Sequence, residues 1–138
     1  MVKQVEFVVY GEPASKANSR RLVNNKKTGK TMFIKSSKAL TYEKDFAMQC
    51  PQLDPPIEGD VKVTIKIFYA TRRPDLDESV ILDCMQSKRI KNPQTNKMEV
   101  IRNNVYLNDR QVREKHIIWG LDKDNPRAEI KVELLQMS

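Results

Sequence analysis

Acidic side chains in two short segments are the residues of this chain best suited to chemistry. Asp75 and Asp77 are separated by one residue, and Asp109 follows later in the sequence Leu-Asn-Asp. Clustered carboxylates repel one another, and a hard divalent cation such as Mg²⁺ relieves the repulsion while leaving positions for water and phosphate oxygens. Such a centre activates water for phosphodiester hydrolysis without a histidine. An Asp-x-Asp pair is also typical of an ordinary helix cap, so both readings of the pair stay open.

Elements of regular structure are predicted on either side of these aspartates. Residues 61–69 alternate apolar and polar side chains, which predicts a strand. Residues 77–88 have apolar side chains at helical spacing, which predicts a helix with Asp75 or Asp77 at its cap. Asp109 leads into a second predicted strand at residues 112–119. The acidic pair therefore lies at a strand-to-helix junction.

The remaining elements are predicted from apolar periodicity and turn residues. They are a first strand that ends at residues 11–13, a hairpin that turns at residues 24–29, a helix from Ser36 or Ser37 to Cys50 with Leu40, Phe46, Ala47 and Cys50 on one face, a loop or small hairpin at residues 88–104, and a last strand at residues 128–135. We predict a single domain over residues 1–138, because this length supports one core.

Composition limits the class of protein. The two cysteines, Cys50 and Cys84, have no metal-binding or disulfide spacing, and we expect buried free thiols. No signal peptide and no stretch of about 20 apolar residues is visible, which predicts a cytoplasmic protein with no membrane partner.

Positive charge is concentrated near the start of the chain. The net charge is +7, and residues 14–42 contain eight basic residues and no acidic one. This segment is either a solvated loop or an arm that follows DNA phosphates. In such an arm, lysines and arginines release the counterions of the DNA on binding.

Three motifs together resemble the RusA-type Holliday junction resolvases, many of which are encoded by phages and prophages. They are Tyr10-Gly-Glu-Pro-Ala-Ser-Lys16-Ala-Asn-Ser-Arg20-Arg21, Arg72-Arg-Pro-Asp75-Leu-Asp77 and Val105-Tyr-Leu-Asn-Asp109. The resemblance implies an α+β fold, with a small mixed β-sheet packed with two main helices. It also implies a homodimer that binds branched DNA and makes paired, Mg²⁺-dependent cuts, with Mn²⁺ as a substitute. Asp75, Asp77 and Asp109 match the metal-binding aspartates of the family.

Three positions depart from the family pattern. The family lysine one turn into the helix is replaced by Ile81, and its role is expected to fall to Lys16, with Arg72, Lys88 and Arg89 as other candidates. Glu78 stands where relatives often have Asn, and it is either an extra metal ligand or a first-turn acid favoured by the helix dipole. Asn108 stands where many relatives have a second acidic residue. The 88–104 segment is also longer than in compact relatives, which indicates an added basic loop.

The predicted activity is structure-selective cleavage of Holliday junctions or other branched DNA by metal-activated water. Two alternatives stay open: a non-catalytic branched-DNA binding protein with a degenerate site, and a nuclease that prefers forks, flaps or duplex DNA. The predicted DNA contacts are Arg20, Arg21, Lys26, Lys27, Lys30, Arg72, Arg73, Lys88 and Arg89.

Three other residues are expected to have structural roles. His116 is expected to pack in a strand or lie at the surface, although an imidazole also titrates near neutral pH. Trp119 is expected in the core or at a dimer contact rather than stacked on a base. Asp83 is expected to be a surface or supporting group, because it lies about 240° around the helix from Asp77.

Overall fold

The computed structural model describes residues 2–14 and 20–135, apart from the side chains of residues 20–23 and 33. Within these ranges the elements are β1 (Gln4–Tyr10), β2 (Arg20–Asn24), β3 (Thr31–Lys35), α1 (Ser37–Gln49), β4 (Val61–Tyr69), α2 (Ser79–Cys84), β5 (Lys88–Lys91), β6 (Met98–Arg102), a 3-10 turn (Asp109–Gln111), β7 (Val112–Leu121) and β8 (Arg127–Leu134).

Four strands form the main sheet, in the order β1-β8-β4-β7. β4 pairs in parallel with β7 and antiparallel with β8, which makes the sheet mixed. A parallel pair needs a long crossover, and residues 70–111 supply it with α2 and the β5–β6 hairpin. Every second residue of β4, from Val61 to Tyr69, is fully buried. The alternation in the sequence therefore predicted correctly which face of this strand lies in the core.

Helix α1 covers the buried face of the sheet through Ala39, Tyr42 and Phe46. The ring of Phe46 meets the ring of Phe7 edge-on, with centroids 6.2 Å apart. The predicted cap is confirmed, since the Ala39 amide donates to Ser36 Oγ at 3.2 Å. The expectation that Leu40 lies on the apolar face was wrong, because its side chain is 51% exposed. The helical rotation of about 100° per residue turns position 40 away from the stripe formed by positions 39, 42 and 46.

Helix α2 is shorter than the sequence predicted and spans Ser79–Cys84 rather than residues 77–88. Beyond it, the Ser87 amide donates to the Tyr106 carbonyl at 2.8 Å. The buried Asn104 side chain donates to the Gln86 carbonyl at 2.8 Å. These long-range bonds replace helical ones, so the chain leaves the helix before Lys88. The α+β class, with a mixed sheet and two helices, is confirmed.

Two hairpins extend the described fold. β2 pairs with β3 around the predicted turn, where Gly29 adopts φ 69°. β5 pairs with β6, so the 88–104 segment is a hairpin rather than an irregular loop. None of the described helices is long and apolar enough to cross a membrane.

Both cysteines are free thiols, with Cys50 buried and Cys84 partly buried. Burial raises the pKa of each thiol to about 12. The expectation of free thiols is confirmed, and that of full burial holds for Cys50 alone.

Candidate active site

The loop after β4 holds Asp75 and Asp77 and is tied to the sheet by Tyr69. The Tyr69 hydroxyl donates to the Asp75 carbonyl at 3.0 Å and accepts from the Asp77 amide at 3.2 Å. Tyr69 is fully buried as the last residue of β4, and burial raises its pKa. The backbone of the acidic pair is therefore fixed by a rigid side chain from the core.

Asp77 and Asp75 occupy different environments on this loop. The Asp77 side chain is buried, and its Oδ1 accepts from the Ser79 amide at 3.0 Å and from the Ser79 hydroxyl. Asp75 is exposed. The N-cap of α2 is Glu78, which makes no side-chain cap bond, so the expectation of Asp75 or Asp77 at the cap was wrong. Asp77 lies one residue earlier and its contact with Ser79 closes a local turn before the helix.

Glu12 joins the first motif to the same loop. Its Oε2 accepts from the Ala70 amide at 2.9 Å, and its Oε1 lies 3.6 Å from Lys38 Nζ. A carboxylate that accepts a backbone amide holds the chain in one direction as it leaves β4. The motif at residues 10–21 therefore reaches the acidic loop through Glu12.

Asp109 begins the 3-10 turn before β7, and its neighbours build that turn. Asn108 Oδ1 accepts from the Arg110 amide at 2.8 Å, and Gln111 Oε1 accepts from the Asn108 amide at 3.0 Å. The Asp109 amide donates to Gln86 Oε1 at 3.0 Å. Asn108, the neutral residue at a family acidic position, thus has a capping role here.

The candidate metal-binding aspartates are divided between the two ends of α2. Asp77 precedes the first turn of the helix. Asp109 lies beside Asp83, which is in the last turn. Burial raises the pKa of Asp83, and the Asp109 carboxylate raises it further. A helix of six residues rises about 9 Å, and no group of three or more His, Cys, Asp or Glu in the described parts of the chain is arranged to hold a metal ion. The donors suit Mg²⁺ in type, but they are not gathered around one point.

A lysine from β7 lies between the two acidic segments. Lys115 Nζ is 3.0 Å from Glu78 Oε1, directly after Asp77. Lys115 also lines a cavity of about 230 Å³ together with Asp109 and Leu82. Glu78 therefore forms an ion pair with Lys115 at the start of α2.

Sequence comparison gives the family of the chain. The profile described as Endodeoxyribonuclease RusA matches residues 11–133 of the 138 residues. The chain belongs to the RusA family. Members of this family are endodeoxyribonucleases, which hydrolyse DNA phosphodiester bonds. No curated protein matches the chain significantly.

The RusA match covers the Asp75–Asp77 and Asp109 motifs in full and the first motif except for Tyr10. The resemblance to RusA-type Holliday junction resolvases is confirmed. The roles of Asp75, Asp77 and Asp109 stay predictions, because family membership does not itself test them.

The basic residues expected to meet DNA lie on separate parts of this RusA-family chain. Arg20 and Arg21 belong to β2, while Lys16, predicted as a catalytic residue, falls outside the described residues. The other members are all exposed: Lys26, Lys27 and Lys30 between β2 and β3, Arg72 and Arg73 before the acidic pair, and Lys88 and Arg89 in β5. The Arg72 guanidinium lies over the Trp119 ring, 5.5 Å from its centroid.

Two residues are placed away from the chemistry. His116 is exposed, pairs in register with Thr64 on the outer face of the sheet, and lies 3.2 Å from Glu114. Ile81 is fully buried in the core. Position 81 therefore supplies no surface group to a RusA-type site in this chain.

Three residues of the site were not expected from the sequence: Glu12, Tyr69 and Lys115. Glu12 lay within a motif already quoted, and Tyr69 ends the clearest alternating strand, so both had a signal that was not used. Lys115 had none, because its partner Glu78 is 37 residues away along the chain.

Proposed function

We propose that this RusA-family protein is a structure-selective endodeoxyribonuclease that cuts Holliday junctions or other branched DNA. The observation that carries the proposal is the fixed Asp75–Asp77 loop at the end of the central strand, held by the Tyr69 hydroxyl. A carboxylate pair on a fixed backbone beside exposed arginines suits a phosphodiester substrate, because the arginines contact phosphates while the carboxylates serve the reaction.

We further propose that cleavage needs a divalent cation, Mg²⁺ or Mn²⁺, with Asp75, Asp77 and Asp109 as its ligands. The type of their oxygen donors supports this assignment, and one ion bound by all three would require Asp109 to approach the Asp75–Asp77 loop, since the structure does not gather them around one point. When bound, the cation would polarise the phosphate and lower the pKa of a water molecule. Lys16 is proposed as a further catalytic residue on the basis of its motif.

Binding is proposed to rely on phosphate contacts with little reading of bases. The exposed turn between β2 and β3 and the exposed strand β5 carry lysines and arginines and support this mode. The active form is proposed to be a homodimer, because coordinated cuts in a two-fold junction call for two related centres. Its proposed location is the cytoplasm.

Two alternatives are distinguished by one experiment. The separation of Asp77 and Asp109 over the two ends of α2 supports a non-catalytic junction-binding protein. The exposed β5–β6 hairpin keeps open a nuclease that prefers forks, flaps or duplex DNA. The purified protein is incubated with labelled four-way, fork, flap and linear DNA, with Mg²⁺ or with EDTA.

We expect paired cuts in the four-way junction with Mg²⁺ and none with EDTA. Binding to every branched substrate without any cut would contradict the proposed activity and support the binding protein. Faster cutting of forks or flaps than of the junction would transfer the proposal to those substrates.

A further inference from the structure

If the protein cleaves DNA as proposed above, the acidic loop needs a basic side chain that faces the phosphate. Position 81 offers no basic group, because Ile81 is apolar and fully buried among core residues. Hydrolysis of a phosphodiester builds negative charge on the phosphoryl oxygens, and a fixed cation stabilises it. Four described basic residues lie near the acidic segments: Arg72, Lys88, Arg113 and Lys115.

Lys115 has the required position in the sheet. β7 pairs in parallel with β4, and Lys115 lies in register with Val63. Val63 is fully buried on the face that packs against the helices. Neighbouring residues in register on paired strands point to the same side, so Lys115 faces α2 rather than the outer face of the sheet.

The contacts of Lys115 link both acidic segments. Its Nζ lies 3.0 Å from the carboxylate of Glu78, the residue after Asp77. Its side chain lines the cavity of about 230 Å³ that Asp109 also lines. One side chain thus reaches from the start of α2 to the segment that holds the third aspartate.

The ammonium of Lys115 remains accessible to a ligand. Its side chain is 49% exposed, whereas that of Glu78 is 20% exposed. An ammonium has three N–H donors, and one bond to Glu78 leaves two for other acceptors. An exposed ion pair adds only about 0–1 kcal/mol to stability, so stability alone is a weak reason for this arrangement.

Other described cations near the site have different partners. The Arg72 guanidinium lies over Trp119, and Lys88 lines a separate cavity of about 330 Å³ with Asp83. Arg113 lines the same cavity as Lys115, but its Nε is 3.5 Å from Asp60, which precedes β4. Lys115 is the one among these four that contacts a residue adjacent to Asp77.

We propose that Lys115 is a catalytic residue that donates hydrogen bonds to the scissile phosphate and that Glu78 is its positioning residue. In the step it assists, a water oxygen bonds to phosphorus while the bond from phosphorus to one sugar oxygen breaks. One water proton ends on the departing sugar oxygen and the other stays on the new phosphomonoester. Lys115 remains protonated throughout. Glu78 and Ile81, the two departures from the family helix, are then explained by one cation supplied from β7.

The test compares full-length wild type, Lys115→Ala, Lys115→Arg and Lys16→Ala with a matched control, Lys131→Ala. Lys131 is also a strand lysine and is 39% exposed, but its Nζ lies 3.7 Å from Glu6 on β1 and 3.8 Å from Glu133 on β8, away from the acidic loop. Two quantities are measured on a labelled four-way junction: the single-turnover cleavage rate at saturating protein with Mg²⁺, and the dissociation constant in EDTA. Thermal unfolding checks that each variant is folded.

We expect Lys115→Ala to lower the rate about tenfold or more, Lys115→Arg to recover part of it, and junction affinity to change much less. Lys131→Ala should leave both quantities unchanged. A Lys115→Ala rate equal to that of the control overturns the inference, as does a loss of affinity without a loss of rate. If only Lys16→Ala lowers the rate, the role belongs to Lys16. A wild type that cuts none of the branched substrates overturns the proposed function itself, and the inference with it.

Discussion

The Tyr69 hydroxyl is predicted to fix the Asp75–Asp77 loop as well as to stabilise the fold. Tyr69→Phe removes the acceptor of the Asp77 amide and the donor to the Asp75 carbonyl. A buried amide left without a partner costs about 1–3 kcal/mol, and displacement of a reacting group by about 1 Å slows an enzyme about 100-fold. We therefore expect a lower melting temperature and a larger relative loss of single-turnover rate on a four-way junction.

Tyr42 provides a matched control for this variant. It is buried like Tyr69, but within the described residues its hydroxyl has no hydrogen-bond partner. Tyr42→Phe removes an unsatisfied polar atom, so we expect equal or slightly higher stability and an unchanged rate. Equal rates for both variants would show that the Tyr69 hydroxyl does not position the acidic pair.

At the scale of residues, side-chain type and spacing predicted candidate site residues but not the contacts that hold them. Asp75, Asp77 and Asp109 stand out because their type and spacing suit oxygen-ligated metals. The contact of Glu12 with Ala70 joins residues 58 positions apart, and no local pattern encodes such a distance. The sequence shows that Ile81 stands where the family has a lysine, but only the structure shows that this side chain is buried in the core.

Among the elements, the β2–β3 hairpin is predicted to be a DNA-binding arm. Lys26, Lys27 and Lys30 are exposed around its turn. Their replacement by Ala should weaken binding to all DNA substrates, and the slope of log affinity against log salt should fall by about one unit per lost phosphate contact. Affinities for junction and linear DNA measured over a salt series test this.

The control for the arm is a second triple variant with the same change of net charge, at Lys3, Lys123 and Lys131. It should leave the slope nearly unchanged, because these lysines lie outside the proposed contacts. Equal slopes for the two triple variants would mean that the turn points away from DNA and that only the overall charge matters.

Gly120 in β7 is predicted to be needed for packing on the outer face of the sheet. A Cβ at this position would lie 2.8 Å from Phe68 Cδ1, and the Arg127 guanidinium lies 3.9 Å from the centre of the same ring. Gly120→Ala should therefore destabilise the protein by about 1–3 kcal/mol, as measured by urea unfolding. In a Phe68→Leu background the same change should cost less, and an equal cost in both backgrounds would refute the contact as the cause.

Periodicity predicted most elements, because each strand or helix shows its buried face in its own sequence. The strand at residues 61–69 and the helix from Ser37 are examples. The end of α2 was missed because Ser87 and Gln86 bond to residues that follow β6. The parallel pairing of β4 with β7 was likewise not visible, since it joins segments about 50 residues apart.

For the whole molecule, we predict a symmetric homodimer. Two cuts placed symmetrically across a junction require two centres related by a two-fold axis. Sedimentation at micromolar protein should therefore give twice the mass of the chain, 16.0 kDa. A monomer that makes single, unpaired nicks in a four-way junction would contradict this prediction.

The net charge of +7 and the exposed basic hairpins favour a polyanionic partner for the molecule as a whole. Charge of this kind explains binding but not cleavage, because non-catalytic proteins hold DNA in the same way. The central claim is therefore that the three aspartates carry the reaction, and the decisive measurement separates cutting from binding.

That measurement compares wild type, Asp75→Asn, Asp77→Asn and Asp109→Asn with a control, Asp124→Asn, an exposed aspartate between β7 and β8. Cleavage of a labelled four-way junction is followed with Mg²⁺, and affinity for the same junction is measured in EDTA. We predict that each of the three variants loses cleavage while its affinity is unchanged or higher, because a ligand is lost and repulsion toward phosphate falls. The control should cut like wild type. Full cleavage by any one of the three variants would remove that aspartate from the site, and full cleavage by all three would contradict the account.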